Sequence, residues 1–224
     1  MHVPAPDHAL RRGQQLEGRL AVGVMGSAAE DVDPAVGALV ERLGRAVGES
    51  GHTLITGACP GLPYAAVRGA TAARGLIVGI SPALSLYEHV HTYASPVEGF
   101  DVLVYTGSGL MGREVINIRS SDIVVIVGGR TGTLGEFAIA YDEGRLIGVL
   151  TGTGGVADMV SELTTRLRKD TGAAVLYDDD PERLLHRLVD YYREVHHRRP
   201  NCFCPPGFEP AAGEVGGAGR RSEM

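Results

Sequence analysis

Seven short apolar runs recur along the chain: Arg19–Val24, His52–Thr56, Leu76–Ile80, Val102–Tyr105, Ile123–Val127, Leu146–Leu150 and Ala174–Tyr177. Most are apolar at every position rather than at alternate ones. That is the pattern of strands buried on both faces of a parallel sheet. Helical stretches are predicted between them, at Pro34–Ser50, Leu62–Arg74, Leu110–Ser121, Thr133–Glu143, Val156–Lys169 and Pro181–His197. In the last, Leu184, Leu185, Leu188, Val189 and Tyr192 recur at a helical period. Asp33-Pro34 and Asp180-Pro181 read as N-caps followed by a first-turn proline. The segment Ser85–Tyr93 reads as a loop or lid, with His89 and His91 either ordinary loop residues or groups able to reach a ligand.

Alternating strands and helices predict a doubly wound, Rossmann-like α/β fold, with a mainly parallel sheet of about seven strands and helices on both faces. One domain is expected over residues 19–198. A polar lead, 1–18, precedes it. The tail, 199–224, is rich in Pro and Gly, lacks apolar periodicity and is expected to be disordered.

Composition narrows the function classes. The 224 residues carry a net charge of −6, which gives no basic field for a nucleic-acid backbone. No apolar run is long enough to span a bilayer, and the start lacks an apolar signal core. Three cysteines, Cys59, Cys202 and Cys204, make no disulfide framework and suit a cytoplasmic location. His196, His197, Cys202 and Cys204 lack a standard zinc spacing, so no metal site is expected. Of the 21 basic residues only Lys169 is a lysine.

In a doubly wound fold the ligand lies beyond the carboxyl ends of the strands, so the loops there are where chemistry is sought. The first strand runs into VMGSAAED, which has Gly26 and Ser27 but no Gly-x-Gly-x-x-Gly. The second runs into TGACPG, with Gly57 and Gly61 but no acid to hold an adenosine ribose. An NAD-type fingerprint is therefore missing, and so is the Gly-Lys-Ser/Thr of a P-loop. After the fifth strand the picture changes: Gly128, Gly129, Arg130, Thr131, Gly132 and Thr133 lead straight into a helix. Such a loop turns backbone amides inward, and the helix N-terminus adds partial positive charge, a setting for phosphate. The alternative is a glycine-rich turn with no ligand. After the fourth strand, Arg113, Asn117 and Ser120 fall at i, i+4 and i+7, a polar stripe. An arginine in a first helical turn opposes the dipole. It wants an anion, or else a surface ion pair with Glu114 or Glu136.

The stretch GREVINIRSSDIVVIVGGRTGTLGEFAIAYDEGRLIGVLTGTGG resembles the LOG family of Rossmann-like proteins, long mislabelled lysine decarboxylases. ITGACPGLPYAAVRGA and GLIVGISPALS extend the resemblance over almost the whole domain, closest to the uncharacterised prokaryotic branch. Characterised LOG members are phosphoribohydrolases that cleave the N-glycosidic bond of nucleoside 5′-monophosphates. Their motifs are Met-x-x-Arg-Lys and Pro-Gly-Gly-x-Gly-Thr-x-x-Glu. The resemblance puts the family arginine on Arg113, the glutamate on Glu136, and the phosphate-loop residues on Gly129, Gly132 and Thr133. It implies catalytic roles for Arg113 and Glu136, no required cofactor, a small nucleotide or phosphate-bearing ligand, and a homodimer. The chain departs from the motifs at Glu114 (family Lys), Gly128 (family Pro) and Arg130 (family Gly). Related LOG-like proteins include carriers of the molybdenum cofactor, which implies the alternative of a non-catalytic binder. A decarboxylase using pyridoxal phosphate needs a Schiff-base lysine. Lys169, in the charged run RLRKD, is far along the chain from the loops.

Overall fold

The structure is a computed structural model that describes residues 18–198, apart from positions 30 and 168. The lead before it and the tail from 199, with Cys202 and Cys204, lie outside the described residues. Seven strands form one sheet: β1 (Ala21–Gly26), β2 (Thr53–Thr56), β3 (Leu76–Ser81), β4 (Val102–Tyr105), β5 (Ile123–Val127), β6 (Leu146–Leu150) and β7 (Ala174–Asp178). Their spatial order is β4-β3-β2-β1-β5-β6-β7, and every pairing is parallel. The described helices are α1 (Pro34–Glu49), α2 (Leu62–Ala72), α3 (Leu86–His91), α4 (Gly109–Arg119), α5 (Thr131–Asp142), α6 (Gly155–Leu167) and α7 (Pro181–Glu194). None is long and apolar enough to cross a membrane.

The unbroken apolar runs are explained by two cores. Ile123, Val125 and Val127 of β5 pack with Val22 and Val24 against α1, α2 and α7. Val124 and Ile126 point the other way, with Met25, Ile118, Phe137, Ala140 and Val160 between the sheet and α4, α5 and α6. A strand covered on both faces has no position left for a polar residue. Asp33 and Asp180 cap α1 and α7 as expected, accepting from the N–H groups of Ala35 and Arg183 at 2.8 Å each.

Several boundaries differ from the sequence expectation. β1 begins and ends two residues later than Arg19–Val24, because pairing with β5 continues through Met25↔Ile126 and Gly26↔Val127. Gly26 permits this: a Cβ there would lie 2.6 Å from the Val127 carbonyl oxygen. The segment read as a loop or lid contains α3. Ser85 caps it by accepting from the Glu88 N–H, while the Glu88 carboxylate accepts from the N–H of Leu84, the residue before the cap, a close relative of the capping box. His89 is fully buried between the Ser81 hydroxyl (2.8 Å) and the Pro96 carbonyl (3.0 Å). It anchors α3 and lines no cavity described below. His91 stacks on Tyr87 with ring centroids 4.4 Å apart.

β1 and β5 are neighbours, yet the chain leaves them in opposite directions along the sheet. Their carboxyl ends therefore flank the topological switch point, where loops diverge and a crevice opens.

Candidate functional site

At that point lies a cavity of about 470 Å³. Its walls come from four places: the loop after β1 (Gly26, Ser27, Ala28), the loop after β2 (Gly57, Cys59), the start of α4 (Leu110, Arg113, Glu114) and the start of α5 (Arg130 to Thr133, Glu136). Nine of the candidate residues thus converge: Gly26, Ser27, Gly57, Arg113, Arg130, Thr131, Gly132, Thr133 and Glu136. Four do not reach the wall.

Gly61 supports the β1 loop from behind, where Leu62 N–H donates to the Ser27 carbonyl at 2.9 Å. Gly128 and Gly129 lie on the far side of the loop. The Gly128 N–H donates to the Thr153 hydroxyl at 2.8 Å, and both glycine carbonyls accept from α6. Gly129, at φ +99°, has the Thr133 side chain folded directly over it, so neither its backbone nor its surroundings admit a Cβ. These two glycines shape the loop, and neither lines the larger cavity. Asn117 is completely buried beneath the floor, with its amide nitrogen 3.0 Å from the Met25 sulfur and its carbonyl oxygen lacking a partner. The expected stripe from Arg113 to Ser120 is therefore no surface feature. It runs from the cavity through the interior, and only Ser120 is exposed.

No side chain caps α5, so its first-turn N–H groups at the cavity wall have no side-chain acceptor. Arg113 is only 7% exposed, and its Nε has no hydrogen-bond partner. Its guanidinium lies where a Cβ of residue 57 would be, so a larger residue there would displace the arginine from its present position. The alternative of a surface ion pair is overturned: Arg113, Glu114 and Glu136 are all buried, and Arg113 forms no ion pair among the described residues. A buried cation with an unpartnered N–H at the floor of a cavity is a site waiting for an acceptor.

The acids respond to the same burial. Desolvation pushes Glu136 up to about 7, against the opposing Arg113 charge; Glu114 adds to the rise and the Asn117 amide resists it. Burial also raises Glu114, again opposed by Arg113. Cys59 is raised by burial too, so the helix start that follows it does not activate the thiol. Lys169 is exposed and bonds Asp142 at 2.8 Å, and it lines none of the cavities described.

The sequence profile of the SLOG cluster4 family matches residues 19–185. The chain belongs to the SLOG cluster4 family. An uncharacterised protein of Archaeoglobus fulgidus is 34% identical over 131 residues, covering 58% of this chain and 80% of that protein. Among solved structures, the molybdenum cofactor binding protein of Rippkaea orientalis is 28% identical with a TM-score of 0.62, covering 77% of this chain and 96% of that one. The Moco carrier protein of Chlamydomonas reinhardtii is 25% identical with a TM-score of 0.62, covering 77% and 99%. The LOG-like, Rossmann-like identity implied by the motifs therefore holds.

In this SLOG cluster4 chain the cavity also holds residues that sequence reasoning missed. Glu114 was read as a departure and a surface partner, because neighbours in a helix diverge by about 100°. Its carboxylate instead packs over α5, where a Cβ at Gly135 would meet Oε2 at 2.9 Å and one at Gly132 would meet Oε1 at 3.4 Å. Two glycines three apart on α5 were the legible signal that another helix inserts a side chain there. Met25, Cys59, Pro63 and Leu110 supply apolar wall, and nothing in their spacing marks them. Among the described residues no cluster of three His, Cys, Asp or Glu is placed to hold a metal ion.

Proposed function

We propose that this protein binds the 5′-phosphate of a nucleoside monophosphate at the start of α5 and hydrolyses its N-glycosidic bond. One observation carries the reading: an uncapped helix N-terminus adjoins a buried arginine with an unpartnered N–H and a glutamate held near neutrality. Phosphate oxygens accept from the α5 amides, with Arg130 beside them. The ring of the base packs on Met25, Pro63 and Leu110. Cleavage of the bond between C1′ and the base nitrogen leaves an oxocarbenium-like centre. Glu136 stabilises that charge and accepts the proton of the water whose oxygen bonds C1′, and the proton passes on to the departing base nitrogen. Arg113 orients Glu136 and holds sugar or phosphate oxygens. The products are free base and ribose 5-phosphate. Incubation with a panel of nucleoside 5′-monophosphates, with chromatography for released base, tests this; intact nucleotides throughout would reject the hydrolase reading.

A second reading rests on the likeness to the Rippkaea and Chlamydomonas proteins. In it the same cavity carries a phosphate-bearing cofactor, such as the molybdenum cofactor, without turnover. Native mass spectrometry of freshly purified protein separates the two: a retained pterin favours the carrier, and an empty site with measurable base release favours the enzyme.

A homodimer belongs to either reading. Leu84, Tyr87 and Met111 are each about three-quarters exposed, and Val102 and Val104 of the edge strand β4 are also exposed. Exposed apolar side chains of that size suit burial against a second copy. Sedimentation at low micromolar concentration should find a dimer that Met111→Glu dissociates.

A further inference from the structure

The loop after β5 has a second side. Ser27 and Arg130 line the larger cavity and also an adjoining one of about 280 Å³. The smaller cavity runs over Ala29, Leu62 and the apolar face of Val32 and Val36, with Asp31 and Asp33 on its wall. A pocket of the larger cavity's size already accommodates a mononucleotide. The space beyond Arg130 is additional.

We propose that the ligand is a nucleotide whose 5′-phosphate is extended through a pyrophosphate to a second nucleoside, bridging at Arg130 and filling the smaller cavity. This rests on the reading of the larger cavity as a phosphate site and specifies its ligand class. Arg130 stands where the LOG motif has a glycine, and its planar fork can take oxygens from two linked phosphates. Among the described residues, Arg130 is the one cation on the smaller cavity's wall. The α6 N-terminus offers no second anion site there: Val156 N–H donates to the Gly129 carbonyl at 3.1 Å and Ala157 N–H to the Gly128 carbonyl at 2.9 Å. Asp31 and Asp33 repel a terminal polyphosphate tail, whereas a nucleoside offers hydroxyl and amino donors to acids and a ring to Val32, Val36 and Leu62. The missing Gly-x-Gly-x-x-Gly after β1 is no obstacle, because the anion contacts come from the β5–α5 loop.

The test is calorimetric titration of the full chain with adenosine, guanosine, cytidine and uridine 5′-monophosphates, their triphosphates, and the matching 5′,5′-dinucleoside pyrophosphates. For at least one base the pyrophosphate should bind about tenfold or more tighter than the monophosphate, and the triphosphate no tighter than the monophosphate. Val36→Phe and Ala29→Leu each fill the smaller cavity and should erase the pyrophosphate advantage while monophosphate affinity stays. Arg130→Gly should weaken both ligands, the pyrophosphate more. Monophosphate binding with no pyrophosphate advantage, a tighter triphosphate, or an advantage surviving both cavity-filling variants overturns this inference alone. Failure of every probe to bind overturns the phosphate-site reading and this inference with it.

Discussion

Asp178, at the end of β7, and Glu136, in the second turn of α5, are both buried carboxylates at the carboxyl edge of one sheet. Their partners differ completely. Asp178 accepts from Arg183 Nε at 2.8 and 3.0 Å, from Arg183 Nη2, from Arg187 Nη1 at 2.8 Å and from the Asp180 N–H at 3.1 Å. Those donors hold its carboxyl well below the usual carboxylate range. Glu136 has Arg113 nearby but no ion pair with it, a second acid in Glu114, one opposing amide in Asn117, and a buried place on the cavity wall whose desolvation lifts it to about 7. Satisfying the lone pairs of a buried carboxylate keeps it charged and turns it into an anchor. Withholding partners leaves it able to exchange a proton at neutral pH, the property a general base needs.

The largest expected effect that probes this contrast is on turnover. Glu136→Gln should lower base release by at least about 10²-fold while nucleotide binding persists. Equal rates in variant and wild type would move the chemistry elsewhere. Asp178→Asn should do the reverse. It should leave base release unchanged but strip Arg183 and Arg187 of their shared acceptor. The expected loss is about 2 kcal/mol, seen as several degrees in the unfolding midpoint. A variant as stable as the wild type would show that this cluster anchors nothing.

Stability against pH sharpens the same comparison, because the two shifts have opposite signs. Asp178 has a lowered folded pKa, so its contribution is present above its ordinary value of 3.8 and is lost as the solution becomes more acidic. Glu136 has a raised one, so the folded state binds more protons than the unfolded state between 4.5 and about 7. Its contribution therefore falls as pH rises through that window. Midpoints measured from pH 4 to pH 8 should fall less steeply for Glu136→Gln than for wild type, and the variant should be the more stable of the two at pH 8. A parallel pair of curves would mean that Glu136 is ordinary. The smallest effect is expected from Glu114→Gln. Removing one acid beside Glu136 should lower the ascending limb of the pH–rate profile by a few tenths of a unit, with little change in stability. A limb that stays in place would detach Glu114 from the proton equilibrium.

What could be read before the fold was known follows from local physics. Full burial on two faces writes itself as unbroken apolar runs in β5 and β6. The edge strands β4 and β7 were legible from their β-branched and aromatic residues, although β4 is largely exposed and β7 half-buried. Asp-Pro pairs announced two helix starts. The phosphate loop was legible because its glycines and the helix after it are contiguous. The Ser85 cap of α3 is equally local, whereas the place of His89, open in the sequence between a loop residue and a ligand contact, is set by burial between Ser81 and Pro96.

The charges of α4 were a different matter. Sequence spacing placed Arg113, Asn117 and Ser120 on one stripe but could not say that the stripe turns inward. That depends on α4 and α5 packing over the same face of the sheet, which sets how deeply each side chain is buried.

The sequence by itself determined the α/β alternation, the two-sided burial of the central strands and the anion-seeking loop, because each depends on residues adjacent in the chain. Only the tertiary structure decided the environment of the chemistry. It brought Gly57 under the Arg113 guanidinium, set Glu114 over Gly132 and Gly135, buried Glu136 until its proton became labile, and opened a second cavity behind Arg130. Desolvation and proximity are properties of the packed molecule, and linear spacing does not encode them.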